Sequence, residues 1–216
     1  MVKPVVVVVG AGPGVSGSVA RLFAGKGYDV GLVGVQEPAL AELRETIPDA
    51  DVHTVVADLT DSEAATLAIR NLGDHFRRID VLHFNPSAFR QKHPLTLTSE
   101  ELLQDVGLGV GALLTALQAV RPYMSAGGRV TATGSMAADK PWNEAASLGI
   151  QKAGLRNLVH SIDATLEPDG IRATSLTVRG TLGKDGPFTP DRVADAIFDA
   201  AHQDEGEWRT EVPYTG

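Results

Sequence analysis

The stretch Val5-Val-Val-Val-Val9-Gly10-Ala11-Gly12-Pro13-Gly14-Val15-Ser16-Gly17 decides the fold of this chain. Five consecutive valines leave no polar face, and a strand without alternation is buried on both sides, as in a parallel sheet covered by helices. The run stops at Gly10, and apolar residues then recur at helical spacing at Val19, Ala20, Leu22 and Phe23. Strand, glycine loop and helix in that order put the loop's backbone amides at a helix N-terminus. Free N–H groups and the positive end of the helix dipole favour an anion there. Gly12, Gly14 and Gly17 satisfy the G-x-G-x-x-G spacing, which permits a tight turn and the close approach of a pyrophosphate. The competing reading is a plain turn between packed elements.

Outward from this unit the pattern repeats. Val30 to Val35, Val52 to Ala57, Asp80 to Phe84, Val130 to Thr133, Ile171 to Val178 and Glu211 to Tyr214 read as strands. Helical patterns fall between them at 38–47, 62–72, 98–124, 145–166 and 190–201. Thr98-Ser99-Glu100-Glu101 has the hydroxyl-before-acid order of a helix start, and Gly127-Gly128 ends that helix. Regular alternation implies parallel pairing through right-handed crossovers. The expected fold is α/β: a Rossmann-like, doubly wound parallel sheet in three layers, one domain over residues 1–216.

Composition narrows the function. The net charge of −8 and the absence of a basic run argue against nucleic acid as a partner. No cysteine is present, which removes disulfides and thiolate chemistry and suits a cytoplasmic protein. No basic, then apolar, leader precedes the first strand. The uncharged stretch from Val106 to Val120 reads as too short and glycine-rich to span a membrane. The six histidines, at 53, 75, 83, 93, 160 and 202, show no close pair at ligand spacing, so no metal site is expected, and His83 reads as a core residue. Trp142 and Trp208 read as packing residues.

Five later marks complete a pattern. Asp58-Leu59 follow the third strand, Phe84-Asn85-Pro86-Ser87 the fourth, and Ser135 the fifth; Lys152 lies in the next helix and Arg179-Gly180 follow the sixth strand. In this order, and with Ser16 at the third glycine of its loop, the chain resembles the short-chain dehydrogenase/reductase family over nearly its whole length. The resemblance implies NAD or NADP as cofactor. It assigns Gly10, Gly12, Pro13, Gly14 and Val15 to the pyrophosphate, Asp58 and Leu59 to the adenine end, and Asn85, Lys152 and Gly180 to the rest of the dinucleotide. Gln36 could bond a ribose hydroxyl. Neither the acid expected at Gly34 nor the arginine expected at Val35 is present, and Glu37 would repel a 2′-phosphate facing it, so cofactor preference stays open.

The family's tetrad is degraded. Leu148 stands four residues before Lys152, where the resemblance calls for tyrosine, and Leu108 stands at the expected asparagine. Ser135 and Lys152 remain as catalytic candidates. Two readings follow: an oxidoreductase on a small carbonyl or alcohol without the tyrosine acid/base, or a non-catalytic dinucleotide-binding or regulatory protein. A third is a scaffold that has lost the cofactor. Tyr28, Tyr123 and Tyr214 do not obviously replace residue 148, and Lys140, Asn143, Glu144 and Ser147 flank it. Each candidate has a plainer alternative. Ser135 could be a strand-end hydroxyl bonded to backbone, Lys152 a surface lysine, Asp58 a cap for the helix near Ser62, Asn85 a turn residue and Glu144 a solvated helix start. Thr181 to Thr189 makes a short lid. Gly107, Gly109 and Gly111 would allow close helix packing, and the resemblance implies a homodimer or homotetramer.

Overall fold

The computed structural model describes residues 2–47 and 49–216; Met1 and Pro48 lie outside them. Seven parallel strands form one sheet in the order β3-β2-β1-β4-β5-β6-β7. They are β1 (Val5–Val9), β2 (Asp29–Gly34), β3 (Val52–Val56), β4 (Val81–Phe84), β5 (Arg129–Ser135), β6 (Arg172–Val178) and β7 (Glu211–Tyr214). The helices are α1 (Val15–Gly25), α2 (Glu37–Glu45), α3 (Ser62–Phe76), α4 (Ser99–Val106), α5 (Ala112–Val120), α6 (Ala146–Leu166) and α7 (Pro190–Ala201).

The valine run explains the layers. Val5, Val7 and Val9 face one core with side chains of α3, α5 and α6, while Val6 and Val8 face a second core with α1, α2 and α7. Every residue of β1 is therefore buried. From β1 the chain winds out to β3 and returns to β4 on the other side of β1. This reversal opens a crevice at the carboxyl ends of β1 and β4, the position at which open α/β sheets bind ligands.

Element boundaries match the expectations within a few residues, with three informative differences. α3 runs on to Phe76 and ends where Arg77 takes a left-handed conformation, φ 62°. β5 runs through Ser135, so that residue is held by strand pairing to Val178. The glycine-rich stretch Gly107–Gly111 is a π-helical segment joining α4 to α5 into a continuous helical rod. The helical rod Ser99–Tyr123 has 25 residues and holds an 18-residue window of mean hydropathy 1.4, so by length and composition alone it is long and apolar enough to cross a membrane, while the uncharged stretch inside it is shorter. Leu113, Ala116, Leu117 and Val120 of this rod fill the sheet core, while Leu103 and Leu114 are exposed.

Local chemistry sets the helix starts. Thr98 and Glu101 form a reciprocal capping box, as their order suggested. Asp61, not Asp58, caps α3, accepting from the amides of Glu63 and Ala64. Gly10 turns the chain out of β1 at φ +80°, and an added Cβ would lie 2.8 Å from Pro86 Cγ. Gly10→Ala is therefore expected to cost about 1–3 kcal/mol through left-handed strain and overlap with the β4 loop. Urea unfolding checks this; an unchanged midpoint would contradict the packing.

Candidate functional site

At the carboxyl edge of the sheet lies a cleft of about 360 Å³. Pro13, Gly14 and Val15 form one wall, Asn85 and Ser87 the next. Thr133, Gly134 and Ser135 form the floor, Leu148 and Lys152 of α6 the third wall, and Val178, Gly180 and Leu182 the mouth. Seven of the residues singled out from the sequence thus meet in one place: Pro13, Gly14, Val15, Asn85, Ser135, Lys152 and Gly180. Leu148 joins them.

The glycine loop leaves the start of α1 open. Gly14 caps α1 at φ 88° with no side-chain hydrogen bond, and the first turn carries no acid. The leading amides of α1 thus remain available as donors toward the cleft. A Cβ at Gly12 or Gly14 would meet nothing within 4 Å, so space lies over both. At Gly17 a Cβ would come within 3.0 Å of Gly12 O, so this glycine lets the helix pack against its own loop. Asn85 is more than a turn residue. Its Nδ2 donates to Ser16 Oγ at 2.7 Å, and Ser16 Oγ donates to Gly10 O at 2.8 Å. This chain fastens the end of β4 to the glycine loop across the switch point.

Lys152 is not a surface lysine. It is 6% exposed, and its Nζ donates to Thr133 O at 2.8 Å. Burial pushes its ammonium down to about 8. Among the described residues no carboxylate lies within ion-pair distance of it. Behind this floor, His83 Nδ1 bonds Thr131 Oγ1 at 2.9 Å, and burial, then the nearby Lys152 charge, push His83 down to about 3. His83 is a neutral core histidine, as its strand position suggested. Ser135 lines the cleft while its Oγ accepts from Ala137 N at 3.2 Å.

The other flanking residues point elsewhere. Ser147 Oγ donates to the buried Asp105 at 2.6 Å. Glu144, Asn143 and Lys140 are exposed, which favours the solvated helix start. The three tyrosines are also engaged away from the cleft. Tyr28 Oη pairs with His202, Tyr123 Oη donates to Asp74, and Tyr214 Oη donates to Pro187 O. No tyrosine is among the described residues that line the cleft.

Several sequence candidates fall outside the cleft. Gly10 faces Pro86, and Gly12 is not part of the lining. Gln36 and Asp58 are exposed beyond β2 and β3, and the Asp58 carboxylate is bonded to Thr60 N and Oγ1, which hold its pKa below the usual range. The Leu59 side chain is a core residue, 5% exposed. Leu108 packs against the sheet core and does not line the cleft. Sequence reading missed Thr133, Val178 and Leu182. It also missed Gln151, whose signal was a polar residue in the apolar stripe of α6.

The short chain dehydrogenase family profile matches residues 4–182. The chain belongs to this family. As a family member it is 28% identical over 179 residues to sulfoacetaldehyde reductase 2 of Chromohalobacter salexigens, covering 80% of this chain and 70% of that one. A short chain dehydrogenase of Mycobacterium smegmatis superposes with a TM-score of 0.86 at 24% identity, covering 100% of this chain and 93% of that one. A metagenomic short-chain oxidoreductase in complex with NADP superposes with a TM-score of 0.86 at 23% identity, covering 99% and 97%. These structural likenesses concern the fold.

Proposed function

We propose that this short-chain dehydrogenase family member binds NAD(H) or NADP(H) and reduces a small carbonyl slowly, without a phenolic proton donor. The observation that carries the reading is the sharing of one cleft by the uncapped N-terminus of α1 and the buried Lys152. The residues fit a dinucleotide: open glycines and amide donors for a diphosphate, and an ammonium for ribose hydroxyls. A bound nicotinamide would supply the hydride, and solvent or an acid not yet identified the proton. Around it, Gly14 and Val15 would hold the diphosphate, Lys152 the ribose, and Ser135 Oγ would donate to a substrate oxygen. Beyond the ends of β2 and β3, Gln36 and Asp58 would meet the adenosine. Leu148 and Leu182 would make the substrate side apolar.

A non-catalytic role is the second reading, favoured by Leu148 and by three phenols bonded elsewhere. General acid–base catalysis is worth about 10²–10⁴ in rate, so its loss leaves binding intact and turnover small. Calorimetry with NADH and NADPH tests the shared premise; binding of neither removes both readings. A panel of small aldehydes, followed by nicotinamide absorbance, then separates them.

The reading predicts a pH dependence of binding. Lys152 is charged below about 8, so dinucleotide affinity should fall as pH rises through that value. His83, beneath it, stays neutral across this range. Lys152→Met should bind more weakly at pH 7 and show a flatter profile. Parallel profiles for the two proteins would remove Lys152 from the site.

We further assign the protein to the cytoplasm and to a homodimer or homotetramer. Exposed Leu103, Leu114 and Ile150 on α4, α5 and α6 support an oligomer face. A monomer in light scattering at micromolar concentration would overturn the assembly.

A further inference from the structure

One buried side chain joins two walls of the cleft. Gln151 is 0% exposed. Its Oε1 accepts from Ala88 N at 2.9 Å, and its Nε2 donates to Ala88 O at 3.1 Å and to Ser147 O at 3.3 Å. Both backbone groups of Ala88 are thereby satisfied by a single carboxamide. Ala88 directly follows Ser87, which lines the cleft with Asn85, and Gln151 directly precedes Lys152.

The space for this carboxamide comes from the opposite helix. Gly109 lies in the π-helical segment between α4 and α5. A Cβ built there would stand 2.4 Å from Gln151 Oε1 and 3.0 Å from its Cδ and Cγ. A side chain at 109 and the amide of Gln151 thus exclude one another. An asparagine at that point would carry its own carboxamide oxygen just beyond the Cβ, in the place Oε1 now occupies.

We propose that Gln151 is a positioning residue: reaching from α6 into the gap left by Gly109, it clamps the β4 loop and fixes the separation between Asn85, Ser87 and Lys152. The role in ligand binding rests on the dinucleotide reading above; the clamp itself does not.

Four variants and three readouts test it. Gln151→Met keeps the volume and removes the hydrogen bonds. It should raise amide exchange at Ala88 by about tenfold in the ligand-free protein, the loss expected for one hydrogen bond of ordinary strength. It should weaken NADH or NADPH binding by a similar factor. Gly109→Asn alone should lower the thermal midpoint through overlap with Gln151. The double variant Gly109→Asn/Gln151→Ala should recover Ala88 protection and affinity relative to Gln151→Ala, a coupling that independent sites would not show. Unchanged Ala88 exchange in Gln151→Met, or a double variant no better than Gln151→Ala, overturns the clamp. Lost protection with unchanged dinucleotide affinity overturns its role in positioning. If wild type binds neither dinucleotide, the functional reading falls alone, and the exchange data still decide the clamp.

Discussion

Leu148→Tyr is expected to raise reduction of a small aldehyde by about two to four powers of ten, the range for a positioned general acid. Leu148 lines the cleft beside Lys152, one helical turn away on the same face of α6. A phenol there would open into a space of about 360 Å³. It would also stand near an ammonium that burial leaves charged up to about pH 8. A nearby cation favours phenolate, which moves the phenol toward neutral operating conditions. Leu148→Phe supplies comparable bulk without the hydroxyl and should give no gain. The measurement is the initial rate of nicotinamide absorbance change at pH 7 for wild type and both variants. Equal rates in all three, with dinucleotide binding retained, would mean that the missing phenol does not limit this cleft.

Asp163→Ala is expected to cost about 3–5 kcal/mol of folding stability, the range for breaking a buried ion pair from one side. Asp163 on α6 is buried. It accepts from Arg172 Nε at 2.9 Å and Nη2 at 2.8 Å, from Ala173 N at 2.7 Å and from Thr210 Oγ1 at 3.1 Å. It therefore ties α6 to β6 and to the residue preceding β7. Its removal strands a mostly buried guanidinium and a buried amide. Trp208, 5.0 Å over the Arg172 guanidinium, and the exposed Glu167 and Glu205 compensate only partly.

The pH dependence follows from the same contacts. Burial raises the Asp163 carboxyl, but the hydrogen bonds from Arg172, Ala173 and Thr210 outweigh burial and hold it below the usual range. With the folded value depressed, its stabilisation is fully present above the unfolded carboxyl value of about 3.9 and is lost as pH falls through the folded value. The stability gap between wild type and Asp163→Ala should be widest near pH 7 and narrow below about pH 4. A gap in urea unfolding that stays constant from pH 7 to 3 would assign the cost to the cavity instead.

Much of this was legible in the chain because periodicity and punctuation are local. Val5 to Val9 announces burial on both faces, and the two cores receive alternate valines as that implies. Thr98 and Glu101 announce their capping box through spacing alone. Gly14 was singled out by its place between strand and helix and Lys152 by the family resemblance, and the fold brings them into one cleft. Other features had no local signature. The sequence reading offered Asp58 as a cap for α3, and the structure gives that role to Asp61 instead. Leu59 sits in a motif yet turns into the core. The glycines of the central helix suggested close packing against a neighbour, and only the structure shows that at Gly109 the neighbour is Gln151 of α6.

By itself, the sequence determined the strand and helix alternation, the glycine loop between the first strand and helix, and the absence of a phenol four residues before Lys152, because these depend on residue type and spacing along one chain. Tertiary structure decided the burial of Lys152, the engagement of all three tyrosines elsewhere and the clamp between Gln151 and Ala88. Those outcomes depend on which surfaces meet across 63 residues between Ala88 and Gln151, or 19 between Thr133 and Lys152. Such meetings follow from the packing of α6 against the sheet edge, which no spacing within α6 can express.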